Sequence, residues 1–229
     1  MAGEKVSAGD FVRIGYTARQ GSTGAVFDTT DEAMAKEANI YSEKYAYGPA
    51  LVVVGKGMVV KGLDDALVGM GVGEEKKVEL QPEKAFGLRN PKLVRVLPLS
   101  EFRKRDVSPY PGMVVDLDGT AALVRSVTSG RVMVDLNHTL AGEKISYEVK
   151  IAEKISATDA KVRALLESNG ITGAGIKLDG GDLELSFPDV VEKDARYFVG
   201  RSAVIRAIRE LLPEIRKIGV GEEYLPKGA

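Results

Sequence analysis

Period-two alternation of apolar and polar positions dominates the first part of the chain. Residues 10–18 (DFVRIGYTA) and 25–29 (AVFDT) are β-rich runs punctuated by Gly21-Ser22-Thr23-Gly24. Strand side chains point to opposite faces in turn, and glycine with serine favours a tight connection, so this stretch predicts a β-hairpin. Residues 31–47 (DEAMAKEANIYSEKYAY) are charged and alanine-rich, the texture of a short helix or an excursion before a strand at 50–54. Asp64 to Val68 reads as a short helix ended by Gly69 and Gly71, and Lys76 to Leu80 as another strand.

Between Pro91 and Asn137 the texture changes to short alternating runs, MVVDLD, TAALVRSV and RVMVDL, split by Asp118-Gly119 and Ser129-Gly130. Such dipeptides suit two-residue hairpin turns, and the region predicts a compact meander. ISYEVKI at 145–151 is a further strand. The period then becomes helical. In Ser156 to Gly170 a polar start, Val162, Leu165 and Leu166 on one face, and Gly170 as C-cap predict a helix. Gly180-Gly181 divides IKLD from DLELSF as in a hairpin. Val204, Ile205, Ile208, Leu211 and Leu212 recur at helical spacing up to Pro213, and EIRKIGV closes as a strand.

A chain of 229 residues exceeds the usual single domain, so two or three units are expected, and 44% hydrophobic residues suffice to fill their cores. The 32 basic residues nearly cancel the 33 acidic ones, which argues against a global electrostatic attachment to nucleic acid or membrane. With no cysteine, disulfides, thiolate metal sites and cysteine nucleophiles are excluded, and a single histidine excludes multi-histidine zinc centres. The N-terminus lacks the apolar core of a signal peptide and no run approaches a membrane span of ~20 residues, so a cytoplasmic protein is the expectation.

The stretch VVVGKGMVVKGLDDALVGM, residues 52–70, poses the sharpest chemical question. Gly55-Lys56-Gly57 after a strand could open a phosphate cradle or form the wall of an apolar pocket. A dinucleotide fingerprint needs a small residue where Val60 stands, and a P-loop needs Gly-Lys-Ser/Thr where Gly62-Leu63-Asp64 stands, so neither motif is complete. His138, alone in LNHTLAGE, reads as a loop histidine hydrogen-bonded to backbone. Asp64-Asp65 and Glu74-Glu75 raise paired-carboxylate chemistry, but solvated charge beside a short helix and a turn explains them better. The cluster Arg201, Arg206, Arg209, Arg216 and Lys217 is interleaved with glutamate and reads as a solvated face.

A set of words in fixed order carries a family resemblance: VRIGYTAR, VFDTT, VVVGKGMVVKGLDDALVGMGVGEEKKVEL, PEKAFG and NHTLAGEKISYEVKI, together spanning residues 10–151. In them the sequence resembles the FKBP-type peptidyl-prolyl cis/trans isomerases, and within these the insert-bearing SlyD-like branch. The resemblance implies an α+β fold, with an FKBP-like antiparallel half-barrel and short helix at 1–87 plus 137–153. It also implies an inserted all-β (insert-in-flap) domain at 88–136. Residues 154–229 are similar to the extra α+β domain of long archaeal forms.

Pocket roles transfer to Tyr16, Phe27 and Asp28 on the first hairpin, Val59 and Val60 on the loop, Leu63 on the helix, Phe86 in the AFG word and Tyr147 on the final strand. Leu63 stands where the family usually has tryptophan, Phe86 where it has tyrosine, and Tyr147 where it has phenylalanine. The implied activity is prolyl isomerisation with chaperone-like holding by the insert, without cofactor or metal. Implied partners are unfolded or proline-containing polypeptides, with neither nucleic acid nor membrane among them, and the C-terminal domain suggests a homodimer. The alternative reading is a binding module or holdase that kept the fold and lost catalysis.

Overall fold

A computed structural model describes residues 4–188 and 193–224; residues 1–3, 189–192 and 225–229 of the expected terminal domains lie outside it. The chain divides into two compact units. The first comprises residues 1–19, 26–78 and 147–229, and the second residues 20–25 and 79–146.

The expected hairpin is present as β1 (Phe11–Gln20) and β2 (Val26–Thr29), followed by α1 (Glu32–Glu37), β3 (Ala50–Val53), α2 (Lys61–Leu67) and β4 (Glu75–Leu80). α1 is only six residues long. It starts where the Asp31 side chain accepts from Met34 N–H, and a loop carrying Tyr41, Tyr45 and Tyr47 fills the rest of the 31–47 stretch. β2 and β3 share β1, one at each end: Thr17 pairs with Thr29 and Ala18 with Asp28, while Phe11 to Ile14 pair antiparallel with Val53 to Ala50. A long strand, numbered β9 below, runs between β1 and β4 and completes a five-stranded sheet.

The second unit holds the insert: β5 (Val94–Pro98), α3 (Leu99–Arg103), β6 (Val114–Leu117), β7 (Thr120–Thr128) and β8 (Arg131–Asp135). Its antiparallel sheet has the order β5-β8-β7-β6 around a core of Phe102, Val115, Ala122, Val124, Val132 and Val134. Asp118-Gly119 has positive φ at both residues, 55° and 84°, the requirement of a two-residue hairpin turn whose twist matches its strands. The ends of the insert are held side by side. Asn90 N–H donates to Asn137 Oδ1 and Asn137 Nδ2 donates back to Asn90 C=O, while Gly142 N–H donates to Gly87 C=O.

β9 (Ile145–Ile155) leads into α4 (Thr158–Ser168), β10 (Gly175–Asp179), β11 (Asp182–Pro188), α5 (Ala195–Leu211) and β12 (Lys217–Glu223). β10 pairs antiparallel with β11, and β12 parallel with it after the α5 crossover. The helical apolar positions do the work their spacing implied: Val162, Leu165, Leu166, Val204, Ile208 and Leu212 are buried with Leu183, Leu185 and Phe187. Phe11, Leu51 and Val53 from β1 and β3 belong to the same core, so one face of the first sheet is covered by C-terminal residues. Arg13 adds an ion pair with Glu167 at 2.6 Å. On the sheet's other face Val12, Ile14 and Val52 alternate with these positions and are buried in turn, and Tyr147, Val149 and Ile151 of β9 are buried as well.

Candidate active site

Seven of the eight expected pocket residues lie in the first unit. β1 carries Tyr16 and β2 carries Phe27 and Asp28; the register brings Asp28 opposite Ala18, and the ladder breaks between Ala18 and Arg19, a bulge beside the site. Tyr16 Oη donates to Asp28 Oδ2 at 2.8 Å. The Tyr16 and Tyr147 rings stand 5.9 Å apart, tilted by 59°. Leu63, in the first turn of α2, is 1% exposed, and Val59 and Val60 are half-buried at the entry to that helix. Phe86 lies in the second unit, stacked on His138 with centroids 4.6 Å apart and planes parallel within 1°.

Among the expected pocket residues, electrostatics act on the two tyrosines. Burial pushes the Tyr147 phenol up to about 12, with the Asp28 charge adding to it. Tyr16 moves further in the same direction, first through burial and then through the charge and hydrogen bond of Asp28. Both phenols therefore hold their protons at neutral pH, which makes Tyr16 a donor and leaves Asp28 the acceptor. The arrangement has polar groups that can orient an amide beside apolar side chains that can desolvate it. It contains no nucleophile poised against a base.

Three residues play parts that their sequence context does not suggest. Asp64 is not solvated charge: it is 7% exposed and accepts from Gly55 N–H at 2.7 Å and Gly57 N–H at 3.0 Å. The Gly-Lys-Gly turn does cradle an anion, but the anion is the chain's own carboxylate. Its signal is hidden in a nine-residue separation that no local motif encodes. Arg201 stacks on Phe187 and Phe198 and pairs with Glu222, so it departs from the solvated face. His138 does bond backbone, accepting from Leu140 N–H at Nδ1, but its stacking on Phe86 is an addition that the LNHTLAGE word does not announce. A cleft of about 940 Å3 lies beside Gly15, Thr17, Glu148 and Lys150, and of the expected pocket residues only Tyr16 lines it.

Antiparallel half-barrel, short helix and aromatic-carboxylate pair define the class as a prolyl isomerase fold interrupted by a β insert. Comparison with known proteins agrees. Residues 2–98 match the family model described as FKBP-type peptidyl-prolyl cis-trans isomerase, and residues 95–140 match one described as FKBP26, IF domain. A short-type peptidyl-prolyl cis-trans isomerase of Methanocaldococcus jannaschii is 36% identical over 148 residues, 65% of this chain and 93% of that protein. The FKBP-type isomerase SlyD of Treponema pallidum is 31% identical over 168 residues, 72% of this chain and 86% of its own.

The chain belongs to the FKBP-type peptidyl-prolyl cis-trans isomerases, a family that acts on proline-containing polypeptides. Among the described residues no helix is long and apolar enough to cross a membrane.

Proposed function

We propose that Tyr16, Phe27, Asp28, Val59, Val60, Leu63, Phe86 and Tyr147 form the catalytic pocket of this isomerase, and that the insert at 88–136 holds unfolded chains for it. The X-Pro barrier is ~18–20 kcal/mol because amide resonance must be broken, so no covalent step is needed. An apolar pocket that grips the proline ring and suits the twisted amide lowers that barrier, each ~1.4 kcal/mol giving tenfold in rate. In this reading Tyr16 and Asp28 orient or polarise the amide while the apolar members desolvate it. The Tyr16–Asp28 hydrogen bond next to the buried Tyr147 ring carries the proposal: a protonated donor and a carboxylate are held together at an apolar surface.

The holding role draws support from exposed apolar residues on the insert. Val96 and Met133 are cross-strand partners and are both exposed; Val114 and Tyr110 are exposed as well. A separate cleft of about 310 Å3 in the insert is lined by Leu97, Phe102, Leu117 and Leu136, with Arg95 and Asp118 among its charged residues. A groove with apolar walls and both charges suits extended chains of varied sequence. A homodimer through residues 154–229 and residence in the cytoplasm complete the reading; Phe198 and Val199, exposed on α5, support the first, and the absence of cysteine fits the second.

The test is turnover of a four-residue proline peptide by Tyr16→Phe and Asp28→Ala. Each variant is expected to lose about tenfold in kcat/KM, or ~1.4 kcal/mol, while circular dichroism stays unchanged. Full activity in both would remove the pocket assignment.

A further inference from the structure

The loop that carries Val59 and Val60 is closed by one side chain. Asp64 receives Gly55 N–H and Gly57 N–H at its carboxylate oxygens, and its own N–H donates to Val60 C=O at 3.0 Å. Both ends of the 55–60 segment thus terminate on a single residue. Gly55 and Gly57 adopt φ of 77° and 68°, a region where a side chain is strained, and this turns both N–H groups toward a common point. Two weaker ties complete the loop: Lys56 N–H donates to Val53 C=O at 3.2 Å, and Val53 N–H donates to Met58 Sδ at 3.2 Å.

We infer that Asp64 is a positioning residue for isomerisation, whose carboxylate sets the path of residues 55–60 and so the place of the Val59–Val60 pocket wall. The inference rests on the pocket proposed above. Asp64 touches no substrate in this scheme; it acts through the two valines. Residues 55–58 are exposed, so water can satisfy the N–H groups that Asp64 would release. Loss of the carboxylate therefore frees the loop without opening the core. Catalysis is more sensitive than folding to such a change, because a misplacement of about 1 Å can cost up to a hundredfold in rate.

Amide hydrogen exchange and peptide turnover on the full-length chain test this. In the unaltered protein the Gly55 and Gly57 amides should exchange at least tenfold more slowly than that of Met58. Exchange of both at open-loop rates overturns the inference however any variant behaves. In Asp64→Asn one acceptor oxygen becomes an NH2 donor, so at least one of the two amides should speed up while those of Val12 and Ile14 stay protected, and kcat/KM should fall at least tenfold. Turnover within twofold of the unaltered protein overturns the inference, as does a loss of strand protection that parallels the loss of activity. Val60→Ala separates the two levels. If it keeps full turnover the pocket assignment itself fails, and this inference with it; if it loses turnover while Asp64→Asn does not, the role of Asp64 alone fails.

Discussion

Two buried carboxylates, Asp64 beside the pocket loop and Asp135 in the insert, are satisfied in opposite ways. Asp135 is 2% exposed and receives the guanidinium groups of Arg89 and Arg125 together with the backbone and side-chain N–H groups of Asn137. Arg125 reaches it because the β7–β8 ladder slips between Val124 and Ser126, leaving the arginine without a cross-strand partner. Asp64 receives two glycine N–H groups, and no ion pair with it occurs among the described residues. A charge met by cations and an asparagine clamps two chain ends together. A charge met by backbone shapes one loop. The first should therefore be visible in stability and the second in catalysis.

The largest test of this division removes the insert. Replacing Leu88 to Leu136 with a short glycine-serine loop leaves Phe86 and Tyr147 in place, and a hydrogen bond ties Gly87, at one cut, to Gly142, a few residues beyond the other. Acceleration of proline-limited refolding should fall by about a hundredfold, because a tethered second site raises the local concentration of client chain. Peptide turnover should stay within about tenfold. If refolding and peptide turnover drop by the same factor, the insert is part of the active site and the comparison collapses.

Much of this architecture is legible in the amino-acid sequence alone. Alternation locates β1 and β9, the glycine-serine punctuation locates β2, and the Asp118-Gly119 and Ser129-Gly130 dipeptides locate the insert's hairpins, because strand period and turn chemistry are local properties. What stays hidden depends on contacts between distant segments. Phe11, Leu51 and Val53 look like ordinary strand residues, and only the folded chain shows that they complete the C-terminal core. The apolar stripe Val204, Ile205, Ile208, Leu211 and Leu212 reads as surface for self-association; three of the five, Val204, Ile208 and Leu212, are buried in this same core, and Leu211 packs against it. Asp64-Asp65 looks like solvated charge because burial of one of two neighbouring carboxylates turns on which face of α2 each occupies, and α2 spans only seven residues.

A smaller effect sharpens the insert side. In Asp135→Ala the two arginines regain water, since their side chains are already about two-fifths exposed, but Asn137 loses its acceptor for two N–H groups. The cost should be about 1–3 kcal/mol, read as faster exchange at the Val132 and Val134 amides, with peptide turnover unchanged within about twofold. Unchanged exchange would show that the clamp contributes nothing and that its resemblance to a fastening is only geometric.

The smallest expected effect sharpens the pocket side, through alkali. Tyr147 is pushed up to about 12 by burial first and the Asp28 charge second, and Tyr16 is raised in the same direction for the same leading cause. In the unfolded chain both would titrate near the ordinary tyrosine value of about 10. The folded state therefore keeps protons that the unfolded state has released, and the stability these groups contribute is complete below pH ~10 and is lost as pH rises toward ~12. Followed by tyrosinate absorbance, the unaltered protein should titrate in two stages, with Tyr147→Phe removing part of the late one. Asp28→Asn should shorten the delay but not abolish it, because burial remains. A single stage near pH 10 in a chain still folded by circular dichroism would mean that the Tyr16–Tyr147 surface is wet. The contrast between a desolvated pocket and a charge-clamped insert would then lose its electrostatic half.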